Sequence, residues 1–156
     1  MNKRTKNIVG IGSALIYSLS LITECYLVNG NESIGSFGLS ALLLGWMNFD
    51  LIGLIWLANP LYTFGLILFF LSKESKTTFI SSLIAFILAL YFTQIDEITI
   101  NEAGHVGRIT KLITGYWLWL SAIFLLLGAA LLDIFLKKNQ PNKKTSEMQS
   151  KIVLRD

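Results

Sequence analysis

Residues 115–136 read GYWLWLSAIFLLLGAALLDIFL, 22 residues that contain one ionisable side chain, Asp133. A hydrocarbon core about 30 Å thick takes roughly 20 consecutive apolar residues to cross as a helix. In that medium backbone polar groups find partners only within a helix or a closed barrel. The stretch is apolar around its whole circumference and predicts a membrane span. Three further windows meet the same requirement: residues 8–28, 51–71 and 77–93. The composition agrees, since 53% of the 156 residues are hydrophobic and 15% charged, with a mean hydropathy of +0.60. A soluble domain needs less apolar surface than this. The sequence therefore predicts an all-α protein, a single four-helix transmembrane domain over residues 1–136. A polar tail follows over 137–156, where Asn139, Gln140, Pro141 and Asn142 discourage further helix.

Basic residues fix the expected orientation. Four spans put Lys3, Arg4, Lys6, Lys73, Lys76, Lys137, Lys138, Lys143, Lys144, Lys151 and Arg155 on one side, 11 of the 13 lysines and arginines. Only Arg108 and Lys111 are left on the other side. The positive-inside rule makes the crowded side cytoplasmic, with both termini there. Residues 36–50 contain Leu39, Leu42, Leu43, Leu44 and Trp46 but are short for a crossing. They are expected to form an interfacial segment or an extension of the second span, with a re-entrant or short fifth segment as the alternative. A full fifth crossing would separate Lys73 and Lys76 from the basic amino terminus. The first window is longer than a signal-peptide core and lacks a small-x-small cleavage site, so it reads as a retained span. Glu24, standing before the single cysteine Cys25, argues against lipoprotein processing there.

Two outer loops are expected. The first opens on Asn29, Gly30, Asn31, Glu32 and Ser33, a turn-prone cluster. In the second, Ile98 and Ile100 alternate with Thr99 and Asn101 before Ala103-Gly104, which predicts a small β-hairpin over 95–110.

Helices in lipid associate largely through small side chains that let backbones approach. The third span carries Thr77, Ser81, Ala85, Ala89 and Thr93 at four-residue spacing, and the first carries Gly10, Ala14 and Ser18. These are the predicted contact faces, toward each other or toward another copy of the chain. Pro60 lacks a donor for the carbonyl of Trp56, so the second span should kink there. Asn59 is expected to hydrogen-bond to a neighbouring helix or to that freed backbone. Trp46, Tyr116, Trp117 and Trp119, with Tyr91 and Phe92, suit the headgroup boundary.

Candidates for chemistry are few. Glu24 is predicted about one turn inside the first span, where an ionisable group is a functional candidate by default. Asp133 has Lys137 four residues on, a sufficient partner on one helix face. His105, the only histidine, shares its loop with Asp96, Glu97, Glu102 and Arg108. That set could hold a divalent metal or act as an acid-base pair, but it lacks the fixed spacing of a known metal motif. No glycine-rich phosphate loop and no defensible nucleophile pattern occurs. The reading is no cofactor, no resident metal and no nucleic acid. Glu24, Asn59, His105 and Arg108 remain as candidate binding residues.

Two clusters are distinctive: Trp56-Leu57-Ala58-Asn59-Pro60, and Gly115-Tyr116-Trp117-Leu118-Trp119-Leu120 after Glu102-Ala103-Gly104-His105. Together with Gly45-Trp46 they resemble an uncharacterised family of small multi-span bacterial membrane proteins, over roughly residues 38–127. The resemblance implies the architecture and a bacterial inner membrane, and no activity. The functional expectation is a non-catalytic accessory, interaction or immunity-type protein in the lipid bilayer, with another membrane protein or a homo-oligomer as its partner. A small transporter or channel subunit and a lipid-modifying enzyme are the alternatives.

Overall fold

The helices begin and end where local chemistry allows. The computed structural model describes residues 1–47, 50–71, 75–99 and 104–139. Lys73, Glu102 and the tail from residue 140 lie outside them. Helix α1 (Lys3–Leu21) starts at Asn2, whose side chain accepts from the Thr5 N–H at 2.8 Å, the N-cap arrangement that satisfies an otherwise orphaned donor. Helix α3 (Leu51–Trp56) starts the same way at Asp50, which accepts from the N–H groups of Ile52 and Gly53. Between them lie strand β1 (Tyr26–Val28) and helix α2 (Gly38–Leu44). Helix α4 (Ala58–Leu71), helix α5 (Ser75–Tyr91), strands β2 (Glu97–Thr99) and β3 (Val106–Leu112), and helix α6 (Thr114–Lys138) complete the chain.

Four rods run alternately up and down: α1, α3 continued by α4, α5, and α6. Met1 and Asp133 meet at one end, and Glu24 and Gly115 at the other. Helix α6 packs on α1 and α5, and α5 packs on α4 and α6. Helices α1 and α5 therefore lie on either side of α6 and do not form the main contact with each other. Three rods are long and apolar enough to cross a membrane: Leu51–Leu71, Ser75–Gln94 and Thr114–Lys138. Helix α1 has 19 residues, about 28 Å at 1.5 Å per residue. Its Lys3, Arg4, Lys6, Ser13, Ser18 and Ser20 leave it short of the apolar character of the other three.

The first window, 8–28, is not a continuous helix. After Leu21 the backbone tightens, with Ile22 N–H on the Leu19 carbonyl, and Thr23 Oγ1 donates to the same carbonyls that would extend the helix. Cys25 then donates its N–H to Ser36 and accepts from Ile113. Residues 26–28 enter a sheet, so the architecture is helical with a small β layer and is not all-α.

That sheet has the order β1-β3-β2, antiparallel throughout. Strands β2 and β3 are the predicted hairpin, with Ile98 opposite Gly107. Strand β1, from the other loop, pairs along the opposite edge of β3. The register shifts between Leu27 and Val28, leaving Thr110 as the extra residue. Its hydroxyl donates to the Leu27 carbonyl and accepts from the Gly30 N–H. Asn29 (φ 52°) and Gly30 (φ 82°) form the two-residue turn that returns β1 to Asn31; positive φ at both positions is what Asn-Gly supplies. Beneath the sheet, Tyr26, Phe92 and Tyr116 stack in sequence with ring centroids 5.5 and 5.8 Å apart. The helical core continues through Tyr62, Ala85, Ala89, Ala122, Ile123 and Leu126.

Candidate functional site

Two polar centres lie along the inner face of α1, which runs Lys6, Gly10, Ser13, Tyr17 and Ser20, and a third lies beyond its end. Lys6, Gly10, Ser13 and Ser20 are buried, whereas Ala14 is half-buried and Ser18 points outward. Of the predicted Gly10, Ala14 and Ser18 face, Gly10 thus lies inside the bundle and Ser18 outside it. Four-residue spacing drifts off a 3.6-residue helix, and the polar partners select a different stripe. On α5, Ser81, Ala85 and Ala89 are buried as a row, but Thr93 is exposed. Gly10 and Gly65 lie at close helix approaches. A methyl at Gly10 would come within 2.8 Å of the Phe70 ring, and one at Gly65 within 2.6 Å of Ser81 Oγ.

The middle centre is built on the Asn59-Pro60 break. Helix α3 stops at Trp56 and α4 restarts at Ala58, which places Pro60 in the first turn of a helix, where proline is best tolerated. Asn59 Nδ2 donates to the Trp56 carbonyl (3.1 Å), the acceptor that proline leaves open. Asn59 Oδ1 accepts from Tyr17 Oη and from Trp119 Nε1, both at 3.0 Å. Tyr17 stacks on Tyr62 with centroids 4.8 Å apart. The Tyr62 hydroxyl shares a 2.8 Å hydrogen bond with Ser13 Oγ, which donates to the Ala122 carbonyl. One amide therefore joins α1, α4 and α6. We expect Asn59→Leu to lower stability in detergent by about 1–2 kcal/mol, since it strands two donors and one carbonyl. The loss should shrink in a Pro60→Ala background, where a backbone N–H returns to the Trp56 carbonyl. Unfolding midpoints in mixed micelles would measure both.

At the Met1 end, Asp133 is completely buried. Its Oδ2 is 2.6 Å from Lys6 Nζ and 3.2 Å from Lys137 Nζ, and accepts a short hydrogen bond from Ser75 Oγ. Its Oδ1 is 3.1 Å from the Met1 amine. Lys6 is itself buried, with its ammonium 5.6 Å from the centre of the Phe69 ring. The predicted Lys137 pair exists, but it is the exposed member of a larger knot tying α1, α5 and α6. The signal that could have revealed it was a lone carboxylate in an apolar helix, which calls for more than one surface partner.

At the opposite end, Glu24 lies beyond α1 and not one turn inside it. Its carboxylate accepts a short hydrogen bond from Ser36 Oγ, and its backbone bridges to Phe37. It borders an open depression of about 390 Å³ lined also by Glu32, Ser33, Ile34, Phe37 and Ser40. Next to it, the Cys25 thiol is pushed up to about 12, first by burial and then by the Glu24 charge. At pH 7–8 it is therefore a neutral thiol and a weak nucleophile. Maleimide labelling at about pH 7.5 should be slow in the folded protein and become fast in denaturant.

The remaining candidates separate. His105 and Arg108 are exposed at the start of β3, with Glu97 facing Arg108 across the sheet. Among the described residues, no three His, Cys, Asp or Glu side chains are grouped to hold a metal. The aromatic set also divides. Trp46 and Trp117 are about half exposed, as interfacial rings would be. Tyr116 is buried and donates to the Ala89 carbonyl at 3.0 Å, so it is a core residue. Trp119 is half-buried and belongs to the Asn59 centre. Phe92 likewise lies in the core. Every buried side-chain nitrogen and oxygen among the described residues has a hydrogen-bond partner.

No family model, curated protein or solved structure matches the chain.

Proposed function

We propose that this is a four-span protein of the bacterial inner membrane, with both termini cytoplasmic, that works without catalysis through its outward helix surfaces as an accessory, interaction or immunity-type protein. Helix α1 is the fourth span in this reading. It is less apolar than the rest because its polar groups are matched on α4 and α6. The single observation that carries the proposal is where the buried polar groups point. Asn59 uses its oxygen twice and its nitrogen once within the bundle, and Asp133 is enclosed by Lys6, Ser75 and Lys137. Groups committed in this way hold helices together and leave contact with other molecules to the exterior.

That exterior is strongly apolar. Helix α1 presents Ile8, Ile11, Leu15, Leu19 and Ile22, and α5 presents Ile80, Ile84, Ile87 and Tyr91. Each set recurs at helical spacing and suits lipid or another membrane helix. The basic end, with Lys3, Arg4, Lys76 and Lys138 exposed, suits an anionic cytoplasmic leaflet, at about 1 kcal/mol per cation. Photo-crosslinkers at Ile11 and at Leu15 on α1 in native membranes are expected to trap one discrete adduct, with a second copy or with another membrane protein. Finding only lipid adducts at both positions, together with a strictly monomeric chain, would remove the proposal.

A further inference from the structure

Contacts place the two ends of helix α2 on two different rods, α1 and α3, at one end of the bundle. Tyr17 and Asn59 are hydrogen-bonded and so sit at one level. Ser20 is three residues along α1 from Tyr17, and Trp56 is three residues from Asn59 on the antiparallel rod, each about 4.5 Å higher. The start of α2 touches the first of these positions, since Gly38 abuts the backbone of Ser20 and Leu21. Its end touches the second. Trp56 Nε1 donates to the Leu42 carbonyl at 2.8 Å, and Gly45 faces the Trp56 ring. Helix α2 therefore reaches from α1 to α3 at the Glu24 end of the bundle.

Two features then identify what covers its free face. Leu39, Leu43, Leu44, Trp46 and Met47 are each 42–59% exposed. They continue the exposed rows formed by Leu19 and Ile22 of α1 and by Leu51 and Leu54 of α3. The apolar rows of the spans adjoin that of α2, interrupted on the α3 side by the exposed Asp50 that caps that helix. The second feature is the helix end. The last carbonyls of a helix have no partner within it and ordinarily bind water. Here Ala41 accepts from the Gly45 N–H, Leu42 from the Trp56 indole, and Leu43 from the Trp46 indole at 2.7 Å. An exposed helix end that spends two indole donors on its own carbonyls is built for surroundings without water.

We propose that α2 and the turn through Met47 lie in the plane of the membrane, with this face sunk to the acyl-chain boundary of the leaflet at the Glu24 end and lipid as its occupant. This inference rests on the spanning proposed above. It assigns α2 to the interfacial class of helix rather than to a re-entrant segment or a protein-docking face.

The test uses nitroxide labels in a Cys25→Ser background, at Leu43→Cys and Met47→Cys, in proteoliposomes of phosphatidylethanolamine and phosphatidylglycerol. Ile84→Cys on α5 and Thr110→Cys on β3 serve as references. Collision with oxygen, which concentrates among acyl chains, is compared with collision with a water-soluble nickel chelate. The expected result is a shift toward oxygen at residues 43 and 47 that matches residue 84 and departs from residue 110. Nickel-dominated collision at 43 and 47, with oxygen dominating at 84, would overturn the placement of α2 alone. Protection from both reagents at 43 and 47 would also overturn it, by showing a second copy on that face. Nickel-dominated collision at 84 itself would defeat the spanning reading.

Discussion

Replacing Asp133 by alanine should destabilise the protein by about 3–5 kcal/mol, the cost of removing one partner from a buried ion pair. Lys6 would be left buried with its nearest anion gone, while Lys137, exposed at the helix end, could turn to water. An asparagine in place of the acid keeps an acceptor for Ser75 but not the charge, so Asp133→Asn should fall between wild type and Asp133→Ala. The cation matters as much as the anion. Lys6→Met alone leaves the carboxylate with Lys137 and Ser75 and should cost less than Asp133→Ala. Lys6→Met combined with Asp133→Leu should recover much of the loss, because an apolar pair of similar volume replaces two desolvated charges. Unfolding midpoints for these four variants and for Asp133→Leu alone close the cycle. If Asp133→Ala were as stable as wild type, the knot would not be holding α1 in place.

Gly38→Ala should be the most disruptive conservative change in the chain. A methyl there would overlap the Ser20 carbonyl oxygen and press on the Leu21 Cα, both backbone atoms that no rotamer change can move. Helix α2 would have to lift from α1, stretching the Gly38 N–H to Thr23 hydrogen bond and the Glu24–Phe37 bridge. Overpacking of this kind costs about 1–3 kcal/mol. The contrast is Gly128→Ala in α6, where nothing lies within 4 Å of the added methyl. That change should be neutral or stabilising by up to about 1 kcal/mol, since alanine is the better helix former. Mixed-micelle unfolding of the two variants, with a spin-label distance between α1 and α2, separates a local displacement from a global loss of stability.

The large apolar rods were legible from composition and length, because lipid imposes the same requirement on every residue of a span and the signal accumulates over about 20 positions. Asn59-Pro60 was legible for a different reason. A missing N–H at one position frees one identifiable carbonyl, and the residue before it is the nearest donor. The pairing of β2 with β3 followed from alternation around Gly104. By contrast, Glu24 was misplaced because apolar composition alone does not mark the end of α1 at Leu21. Residues 22–28 are apolar enough to continue a helix, and only the backbone of β3, more than 80 positions away, draws them into a sheet. Tyr116 was misread for a similar reason. An aromatic ring near a span end has the same composition whether it meets headgroups or the Ala89 carbonyl.

What the sequence determined alone is the set of apolar rods, their alternation with basic flanks, and the turns at Asn29-Gly30 and Pro60. These depend on each segment's own chemistry against a uniform solvent. Tertiary structure decided which face of α1 is inner, how Lys6 finds Asp133 across 127 positions, and that two outer loops share one sheet around β3. Those outcomes are choices among partners distant in the chain, and each is set by which buried donor can reach which acceptor once the rods have met.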